Sequence, residues 1–253
     1  MRIYTEDDFF GGKLKLRQPQ KGYRAGSDAL LLAAALPKIE GEMLEVGAGV
    51  CTPSICYLSR VFEAGFTPKI TAVELFEDIT QLAEHNIKQN GFNAQIKLLN
   101  IDIFDSAASH EGAGLLPDSF DHIFSNPPFF DPTKNKTSSD DYKALAHTIS
   151  QGGLERWLVF MVRLLKNKSS LTIIYPMEQL YRVLKILENR VGDISIIPIF
   201  SKPSAPATRF LLQGKKGSRG PFKMQQSITL RNADGSVTKL ADAIFRDGEA
   251  IDF

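Results

Sequence analysis

The stretch Met43-Leu-Glu-Val-Gly-Ala-Gly-Val-Cys51 decides the fold of this chain. It begins as an apolar run of strand length, and the segment from Pro53 to Phe62 that follows has the apolar spacing of a helix. Between the two lie Gly47 and Gly49, where glycine lets the backbone turn tightly and lie against a ligand. The stretch therefore predicts a nucleotide-type turn. Because Cys51 replaces the third glycine of a G-x-G-x-G pattern, an unliganded strand-to-helix turn stays an alternative.

Strand-like runs alternate with helix-period segments over most of the chain. The runs are rich in β-forming residues and nearly continuous, as expected for strands covered on both faces. Such alternation is typical of right-handed βαβ crossovers and predicts an α/β fold, a Rossmann-like, doubly wound and mostly parallel sheet. The strand-like runs are Met43–Val46, Ile70–Val73, Ile96–Leu99, His122–Ser125 and Leu171–Ile174, and the helical segments are Pro53–Phe62, Glu77–Asn90, Leu154–Leu165 and Met177–Glu188.

The two ends of the chain do not follow this alternation of strands and helices. After a polar, basic entry segment, Ser27-Asp28 precedes Ala29–Pro37, where a capping side chain and a terminating proline predict one short buried helix. Near the other end, Ile194–Phe200 and Arg209–Gln213 are strand-like runs with no helix between them. They predict an antiparallel hairpin at the edge of the sheet.

No repeat and no long linker divides the sequence. Beyond the sheet, Ser227–Arg231 and Val237–Leu240 flank Asn232–Gly235, a hairpin-turn composition, and a short helix is expected from about Ala241. We expect a single domain over residues 1–253. Its parts are an N-terminal basic segment and helix (1–40), a Rossmann-like core (41–213) and a C-terminal extension (214–253).

The composition excludes several classes of protein. With 253 residues, 43% hydrophobic and 23% charged, the chain is neither a low-complexity disordered protein nor a collagen. Cys51 and Cys56 are the only cysteines, so a disulfide scaffold and a zinc cluster are not expected, and the histidines lack ligand-like spacing. No apolar segment is long enough for a signal peptide or a membrane span. We therefore expect a cytoplasmic protein without a bound metal or a membrane partner.

Acidic side chains close the next two predicted strands. Glu74 comes 25 residues after Gly49, near the spacing of a carboxylate that accepts hydrogen bonds from both hydroxyls of a ribose. Asp102 follows the third strand and can accept a hydrogen bond from the exocyclic amine of an adenine. Singly, each residue is as consistent with a solvated strand end or a helix cap. Together, at the carboxyl edge where such sheets bind ligands, they favour a binding site.

The charge beside the glycine turn indicates the cofactor. A phosphate-bearing cofactor favours Lys or Arg near such a turn, yet neither occurs from Glu42 to Ser59. Glu45 lies next to the turn instead, and its carboxylate suits a cofactor with a cationic end. S-adenosyl-L-methionine carries a sulfonium and an ammonium in place of phosphates, so these residues predict it as the cofactor.

The motif Ser125-Asn-Pro-Pro-Phe-Phe130 follows the fourth predicted strand and is the most specific feature of the chain. Pro127 and Pro128 fix φ and donate no N–H, so they form a rigid loop with free carbonyls. The amide oxygen of Asn126 and the carbonyl of Pro127 can accept both hydrogens of a planar NH2 group, which needs no general base. Phe129 offers a face for a flat heterocycle, worth about 1–3 kcal/mol per stacked base. A structural turn with buried phenylalanines is the alternative.

These motifs resemble those of a known family. Glu45–Gly49, Glu74, Asp102 and Asn126–Phe129 stand in the order found in class I S-adenosylmethionine-dependent methyltransferases that modify exocyclic or amide nitrogen. More closely, the chain is similar to the bacterial tRNA adenine-N6 methyltransferases, which modify the adenosine beside the anticodon of a valine tRNA. The closer resemblance covers roughly Phe9 to Gln213, on the segments Phe9–Gly12, Gln18–Leu32 and Ser125–Phe130.

The resemblance implies a seven-stranded sheet that ends in an antiparallel hairpin. It also implies roles for residues: Glu45, Gly47, Ala48 and Gly49 contact the methionine part of the cofactor, Glu74 its ribose and Asp102 its adenine, while Asn126, Pro127, Pro128 and Phe129 hold the target amine, with Asn126 also beside the cofactor. The chain departs from the family at Cys51, where a glycine or another small residue is usual.

The basic residues predict an RNA partner, although the net charge of +1, from 30 Lys and Arg against 29 Asp and Glu, taken alone argues mildly against one. Two clusters supply phosphate contacts if both fold toward Asn126, and a solvated surface is the alternative. They are Lys13, Lys15, Arg17, Lys21 and Arg24, and, in a stretch without Asp or Glu, Lys202, Arg209, Lys215, Lys216, Arg219, Lys223 and Arg231.

The leading functional hypothesis is N6-methylation of adenine in tRNA. A glutamine side chain of a protein, methylated at N5, or guanine N2 of rRNA fits the same cage of acceptors. A different class is a cofactor- and RNA-binding module that has lost catalysis. Phe129 and the basic clusters favour nucleic acid, and an intact Asn126 argues against lost catalysis.

Overall fold

The structure, a computed structural model, describes residues 4–20, 24–129 and 152–253. Its strands form a two-stranded hairpin and one large sheet. The hairpin consists of β1 (Tyr4–Phe9) and β2 (Leu14–Pro19). The sheet contains β3 (Glu42–Val46), β4 (Lys69–Glu74), β5 (Ile96–Asn100), β6 (Phe120–Ser125), β7 (Leu165–Pro176), β8 (Val191–Phe200), β9 (Ala207–Lys216), β10 (Lys223–Met224) and β11 (Ile228–Thr229).

The strand order of the large sheet confirms the predicted architecture. The order is β10-β8-β9-β7-β6-β3-β4-β5, with β11 also paired to β8. Strands β3 to β7 run parallel, and β9 is antiparallel to both β7 and β8. The fold is therefore Rossmann-like with an antiparallel C-terminal hairpin, and β10 and β11 extend its edge. The order reverses between β3 and β6, so the loops after these strands flank the crevice where such sheets bind ligands.

Helices cover both faces of the sheet because its central strands are apolar on both sides. In β3, Met43 packs in one core cluster, whereas Leu44 and Val46 pack in the other. The first cluster takes residues of α1 and α2, and the second takes residues of α5 and α6. The helices are α1 (Ser27–Ala34), α2 (Thr52–Phe62), α3 (Glu77–Gln89), α4 (Ala107–Gly112), α5 (Leu154–Leu164), α6 (Leu180–Leu187) and α7 (Lys239–Asp242).

The N-terminal segment, described from its sequence only as polar and basic, contains regular structure. It folds back as the β1–β2 hairpin, in which Leu14 and Leu16 are buried while Lys15 between them is exposed. This alternation has the period of a half-buried strand. The hairpin is joined to α3, because the side-chain amide of Asn86 donates to the carbonyl of Arg17 at 3.0 Å and its oxygen accepts from that residue's N–H at 2.7 Å.

The turn predicted at Asn232–Gly235 forms, but the segments on either side of it pair over only a few residues. An antiparallel bridge joins Arg231 and Val237, the N–H of Asn232 donates to the carbonyl of Ser236 at 2.8 Å, and the N–H of Thr238 donates to the carbonyl of Leu230 at 3.0 Å. Ile228 is buried and belongs to β11, which pairs in parallel with β8 instead of with the residues after the turn. The apolar side chain thus completes the core at the sheet edge, and that burial decides the pairing.

None of the helices in the described part of the chain is long and apolar enough to cross a membrane.

Candidate active site

The turn after β3 has left-handed backbone at every second residue. The φ angles are +73° at Gly47, +55° at Gly49 and +62° at Cys51. These are the three glycine slots of a G-x-G-x-G turn, so Cys51 adopts a conformation that glycine takes without strain. The Cys51 side chain is buried, and α2 begins at the next residue. Cys51 thus has the same left-handed backbone conformation as Gly47 and Gly49.

Trp157 of α5 covers this turn and was missed in the sequence analysis. A Cβ atom added at Gly47 would lie 2.8 and 2.9 Å from two atoms of the indole ring. The indole N–H donates to the Ser125 hydroxyl at 3.0 Å, and that hydroxyl donates to the carbonyl of Val46 at 2.7 Å. Gly47 is therefore required for space as well as for its φ angle. The only available signal was that Trp157 is the single tryptophan of the chain.

One pocket at the carboxyl edge of the sheet brings most of the predicted residues together. Its wall includes Trp157 and the apolar side chains of Ile101, Ile103 and Phe104. Pro127 and Phe129 are not part of this wall. The predicted residues that line it are Glu45, Gly47, Ala48, Gly49, Glu74, Asp102, Asn126 and Pro128.

Glu45 is a buried carboxyl group without a cationic partner. It is 2% exposed, and the Ser54 hydroxyl donates a short hydrogen bond to it. Within the described residues no Lys, Arg or His forms an ion pair with it. Burial raises the pKa of Glu45 to about 8, although the hydrogen bonds from Ser54 oppose this rise. A cation entering the pocket would stabilise the ionised form.

Glu74 is held by the backbone instead. One of its oxygens accepts from the N–H of Gly49 at 2.8 Å, and the other accepts from the N–H groups of Leu75 at 2.9 Å and Phe76 at 3.0 Å. Burial raises the pKa of Glu74, and these three hydrogen bonds oppose the rise. Because a carboxylate has about four acceptor positions, Glu74 retains room for a ligand hydroxyl.

Asp102 lies in the turn after β5. Its Oδ1 accepts from the N–H of Phe104 at 2.8 Å, and the residue lines the pocket. The carbonyl of Asp102 lies 3.1 Å from Nε2 of the buried His110. Beyond it, the Arg156 guanidinium lies 4.6 Å from the centre of the Phe104 ring. In this part of the pocket, Asp102 thus lies beside the apolar side chains of Ile101, Ile103 and Phe104.

The Asn126–Phe129 loop begins directly after β6, and its two prolines are buried. The Phe129 ring lies outside the pocket wall, edge-on to Tyr175 with ring centres 6.1 Å apart. The guanidinium of Arg209 lies over one face of the ring, 4.6 Å from its centre. At most one face of Phe129 is therefore left for the base that the sequence predicts to stack on it. Phe130 lies outside the described residues.

The N-terminal basic cluster is neutralised by acids that the sequence analysis did not weigh. Each described member is in an ion pair, so the cluster is not a free basic surface, and Lys21 lies outside the described residues. The pairs are Lys13 with Glu63 (3.5 Å), Lys15 with Asp8 (2.8 Å), Arg17 with Glu6 (3.6 Å) and Arg24 with Asp7 (2.6 Å).

The C-terminal basic cluster is divided between the two ends of the strands, the carboxyl edge of the parallel sheet and the edge opposite to it. In the pairing of β9 with β7, Arg209 lies opposite Pro176 at the carboxyl edge, whereas Lys215 lies opposite Ser170. Six residues of strand place about 20 Å between them. Lys215 pairs with Asp193 at 2.8 Å, and Lys216 pairs with Asp118 at 2.8 Å. The expectation that the whole cluster faces Asn126 is therefore wrong for these two lysines.

The polar atoms of the pocket fit S-adenosylmethionine better than a phosphate-bearing cofactor. The Thr52 hydroxyl is buried in the pocket wall and has no hydrogen-bond partner in the described structure. A Cβ added at Gly49 would meet no atom within 4 Å, so this position faces open space. Glu45 would attract an ammonium group and repel a phosphate. No group of His, Cys, Asp and Glu suited to a metal ion occurs among the described residues.

Comparison with known proteins finds relatives that carry the name of a tRNA methyltransferase. The tRNA1(Val) (adenine(37)-N6)-methyltransferase of Shewanella sp. (strain MR-4) is 25% identical over 228 residues, which cover 89% of this chain and 92% of the relative. The enzyme of the same name from Proteus mirabilis is 24% identical and covers 85% and 82%. No family model matches the chain. The resemblance drawn from the motifs is confirmed over most of the sequence.

Solved structures share the fold. A protein from Agrobacterium tumefaciens described as a predicted O-methyltransferase superposes with a TM-score of 0.73 at 20% identity, over 89% of this chain and 99% of that protein. An S-adenosylmethionine-dependent O-methyltransferase from Thermotoga maritima gives 0.52 at 19% identity, over 79% and 68%. At these identities the likeness extends to the fold alone, which is that of the class I methyltransferases.

Proposed function

We propose that this protein is an S-adenosylmethionine-dependent methyltransferase that acts on adenine N6 of tRNA. The observation that carries the proposal is the position of Asn126. It follows β6 at the switch point of the sheet and lines the same pocket as Glu45 and Glu74. An acceptor of amine hydrogens thus lies beside a pocket suited to a cationic cofactor.

The choice of tRNA rests on the relatives. Proteins that match nearly the whole chain carry the name tRNA1(Val) (adenine(37)-N6)-methyltransferase. The aromatic ring of Phe129 also suits a base better than the amide of a glutamine side chain, since a base has a face that stacks. We further propose that residues 1–253 form one domain and that the protein acts in the cytoplasm. The single domain is supported by one core cluster that contains residues from both ends of the chain. The cytoplasmic location is supported by the location of tRNA.

Several residues of the pocket would hold the cofactor. Glu45 would pair with its ammonium, the glycine turn and Ala48 would lie along its methionine part, Glu74 would bind the ribose hydroxyls, and Asp102 would bind the adenine amine. The buried Thr52 hydroxyl would donate to its carboxylate. Bound S-adenosylmethionine supplies an electrophilic methyl group.

The residues of the loop orient the nucleophile. The Asn126 amide oxygen and the Pro127 carbonyl accept the two hydrogens of the adenine amine, which turns the nitrogen lone pair out of the ring plane. The same two acceptors stabilise the positive charge that develops on the amine, because they are fixed before the reaction begins. Positioning of this kind replaces a general base. Pro127 and Pro128 are buried, which keeps the acceptors from rotating away.

RNA would approach over the carboxyl edge of the sheet. Lys202 lies in the turn between β8 and β9 at this edge; its side chain is exposed and in no ion pair with a described residue. Arg209 lies at the same edge. Of the predicted basic segments, the part near Lys202 is thus the best placed to contact phosphate groups close to the target base.

The experiment that tests the function compares tRNA nucleosides by mass spectrometry in strains that lack the gene. The deletion strain is complemented with the wild-type protein or with Asn126→Ala. We expect N6-methyladenosine to disappear on deletion and to return only with the wild type. Unchanged N6-methyladenosine, together with the loss of methylated glutamine in a protein or of N2-methylguanosine in rRNA, would contradict the proposal and select one of the alternatives.

A further inference from the structure

The Phe129 ring is held by two side chains that lie far from it in the sequence. Tyr175 at the end of β7 meets it edge-on, with an interplanar angle of 84°, and Arg209 of β9 covers one face at 4.6 Å. Both neighbours belong to the sheet, so the ring is braced against a rigid element. A base that stacks on Phe129 must use the face opposite Arg209.

Arg209 is itself held in one orientation. Its Nε donates to the Asp28 carboxylate at 3.0 Å, and Nη1 donates to the carbonyl of Thr208 at 3.0 Å. The side chains of Arg209 and Asp28 are 14% and 23% exposed, so water screens this ion pair less than it screens a surface pair. The planar guanidinium is therefore fixed by hydrogen bonds in its own plane while its face is free to stack on the ring.

The same ion pair reaches the wall of the cofactor pocket. Asp28 lies in the first turn of α1, next to Ala29, and both Ala25 and Ala29 line the pocket. The N-terminal end of α1 thus touches the pocket on one side and Arg209 on the other. Helix α1 therefore links Arg209, which holds Phe129, to the wall of the cofactor pocket.

We propose that Arg209 is a positioning residue for the target base, acting through Phe129. This inference rests on the proposed function and adds a residue to it. The guanidinium, anchored by Asp28, sets the plane of the Phe129 ring, and the opposite face of the ring sets the plane of the adenine whose amine meets Asn126. Lysine keeps the charge and the bond to Asp28, but its ammonium has no planar face to stack on the ring.

The test compares Arg209→Lys with Lys215→Met. The control also loses an ion pair from β9, the pair with Asp193, but at the far edge of the sheet. For Arg209→Lys we expect kcat for tRNA methylation to fall about 10- to 100-fold, since small misplacements of reacting groups cost rates of this size. KM for tRNA, cofactor affinity and melting temperature should stay near wild type. Lys215→Met should leave kcat unchanged.

Two outcomes would overturn the positioning role. If Arg209→Lys keeps kcat within about twofold, which is close to the spread of uncoupled effects, stacking is not required. If it raises KM for tRNA in a salt-dependent way at unchanged kcat, Arg209 is a phosphate contact instead. Asp28→Asn provides a second check: it should lower kcat in the wild type, yet add little in the Arg209→Lys background, because the two residues act through one geometry.

A fluorine label separates this inference from the proposed function. With 4-fluorophenylalanine at position 129, the wild type should give one narrow 19F resonance, and Arg209→Lys should broaden or split it without any RNA present. An identical spectrum in both proteins overturns the inference even if tRNA is methylated. If the wild type does not methylate tRNA but the spectra differ, the proposed function fails while the bracing of Phe129 by Arg209 stands.

Discussion

The proposed site has a cofactor half and a substrate half, and the two are built in different ways. In the cofactor half, after β3 and β4, the local backbone fixes the groups: the turn sets its shape with φ angles at Gly47 and Gly49, and the N–H groups of Gly49, Leu75 and Phe76 hold Glu74. In the substrate half, after β6, side chains from distant elements do this work. Arg209 and Asp28, for example, are 181 positions apart. Cofactor binding and substrate positioning should therefore be separable by mutation.

Asn126→Ala is the sharpest way to separate the halves. Removal of one preorganised partner of the reacting group typically costs about two to three orders of magnitude in rate, so kcat should fall by that factor. Asn126 is one residue of a large pocket wall, and cofactor affinity measured by calorimetry should change little. Glu74→Ala is the converse variant and should weaken the cofactor while RNA affinity stays nearly intact. Equal losses of rate and cofactor affinity in Asn126→Ala would show that the two halves are not separable. They would also contradict the role of Asn126 in orienting the target amine.

Gly47→Ala tests a contact that crosses from one half to the other. The new Cβ would meet the Trp157 ring at 2.8 Å, and the residue would also adopt φ +73°. The left-handed backbone alone costs about 1–2 kcal/mol, and the clash adds to it. Without cofactor, denaturant unfolding should show a larger loss of stability than in Gly49→Ala, where a Cβ meets no atom within 4 Å.

The double variant Gly47→Ala with Trp157→Phe supplies the control for this difference. Phenylalanine lacks the outer indole atoms that the new Cβ would meet, so the second substitution should remove the clash and leave only the backbone cost. The double variant should then lose less stability than the sum of the single variants. Simple additivity would mean that the indole ring does not press on Gly47.

The cofactor half was largely predictable from the sequence because its parts are local. The glycines, Glu45, Glu74 and Asp102 follow strands whose order a βαβ pattern predicts, and parallel strands deliver their carboxyl ends to one edge. Strand lengths were less predictable: β7 was expected over Leu171–Ile174 but runs over Leu165–Pro176, since Leu165 pairs with Phe120 of β6 and Pro176 pairs with Arg209 of β9.

The substrate half was predictable only for its motif. The motif Asn126-Pro-Pro-Phe129 is recognisable in the sequence. Nothing near it in the sequence predicts the contacts of this region with Trp157, Tyr175 and Arg209, because these side chains reach it through tertiary packing. Charge was read wrongly for the same reason. Lys215 and Lys216 look free in a stretch without acids, yet Asp193 and Asp118 come to them from other parts of the fold.

Glu45 should make cofactor binding depend on pH. Its carboxyl has a pKa of about 8 in the folded protein against an ordinary value of 4.5, so it carries a proton at neutral pH. A cation binds the ionised form, and affinity should therefore rise with pH by up to about tenfold per unit and level off above the pKa of Glu45.

The same raised pKa means that the stability of the free protein falls as pH rises from about 4.5 toward 8.

Glu45→Gln isolates this dependence. Titrations of cofactor into the wild type and the variant, in two buffers of different ionisation enthalpy, count the protons released on binding. The wild type should release close to one proton more than the variant near pH 7, and any slope left in the variant reports the cofactor's own ammonium. Equal release in both proteins would show that Glu45 stays protonated and does not bind the cation.

The smallest expected effect concerns RNA, and it compares the two edges of the sheet. Lys202 lies at the carboxyl edge and forms no ion pair with a described residue, whereas Lys216 lies at the opposite edge and donates to Asp118 and to the carbonyl of Leu165. Each phosphate contact contributes about 0.7–0.9 to the slope of log affinity against log salt. Lys202→Ala should lower the slope for tRNA binding by about that amount, and Lys216→Ala should leave it unchanged. A reversed result would place the RNA on the far edge and separate the bound RNA from the Asn126 loop.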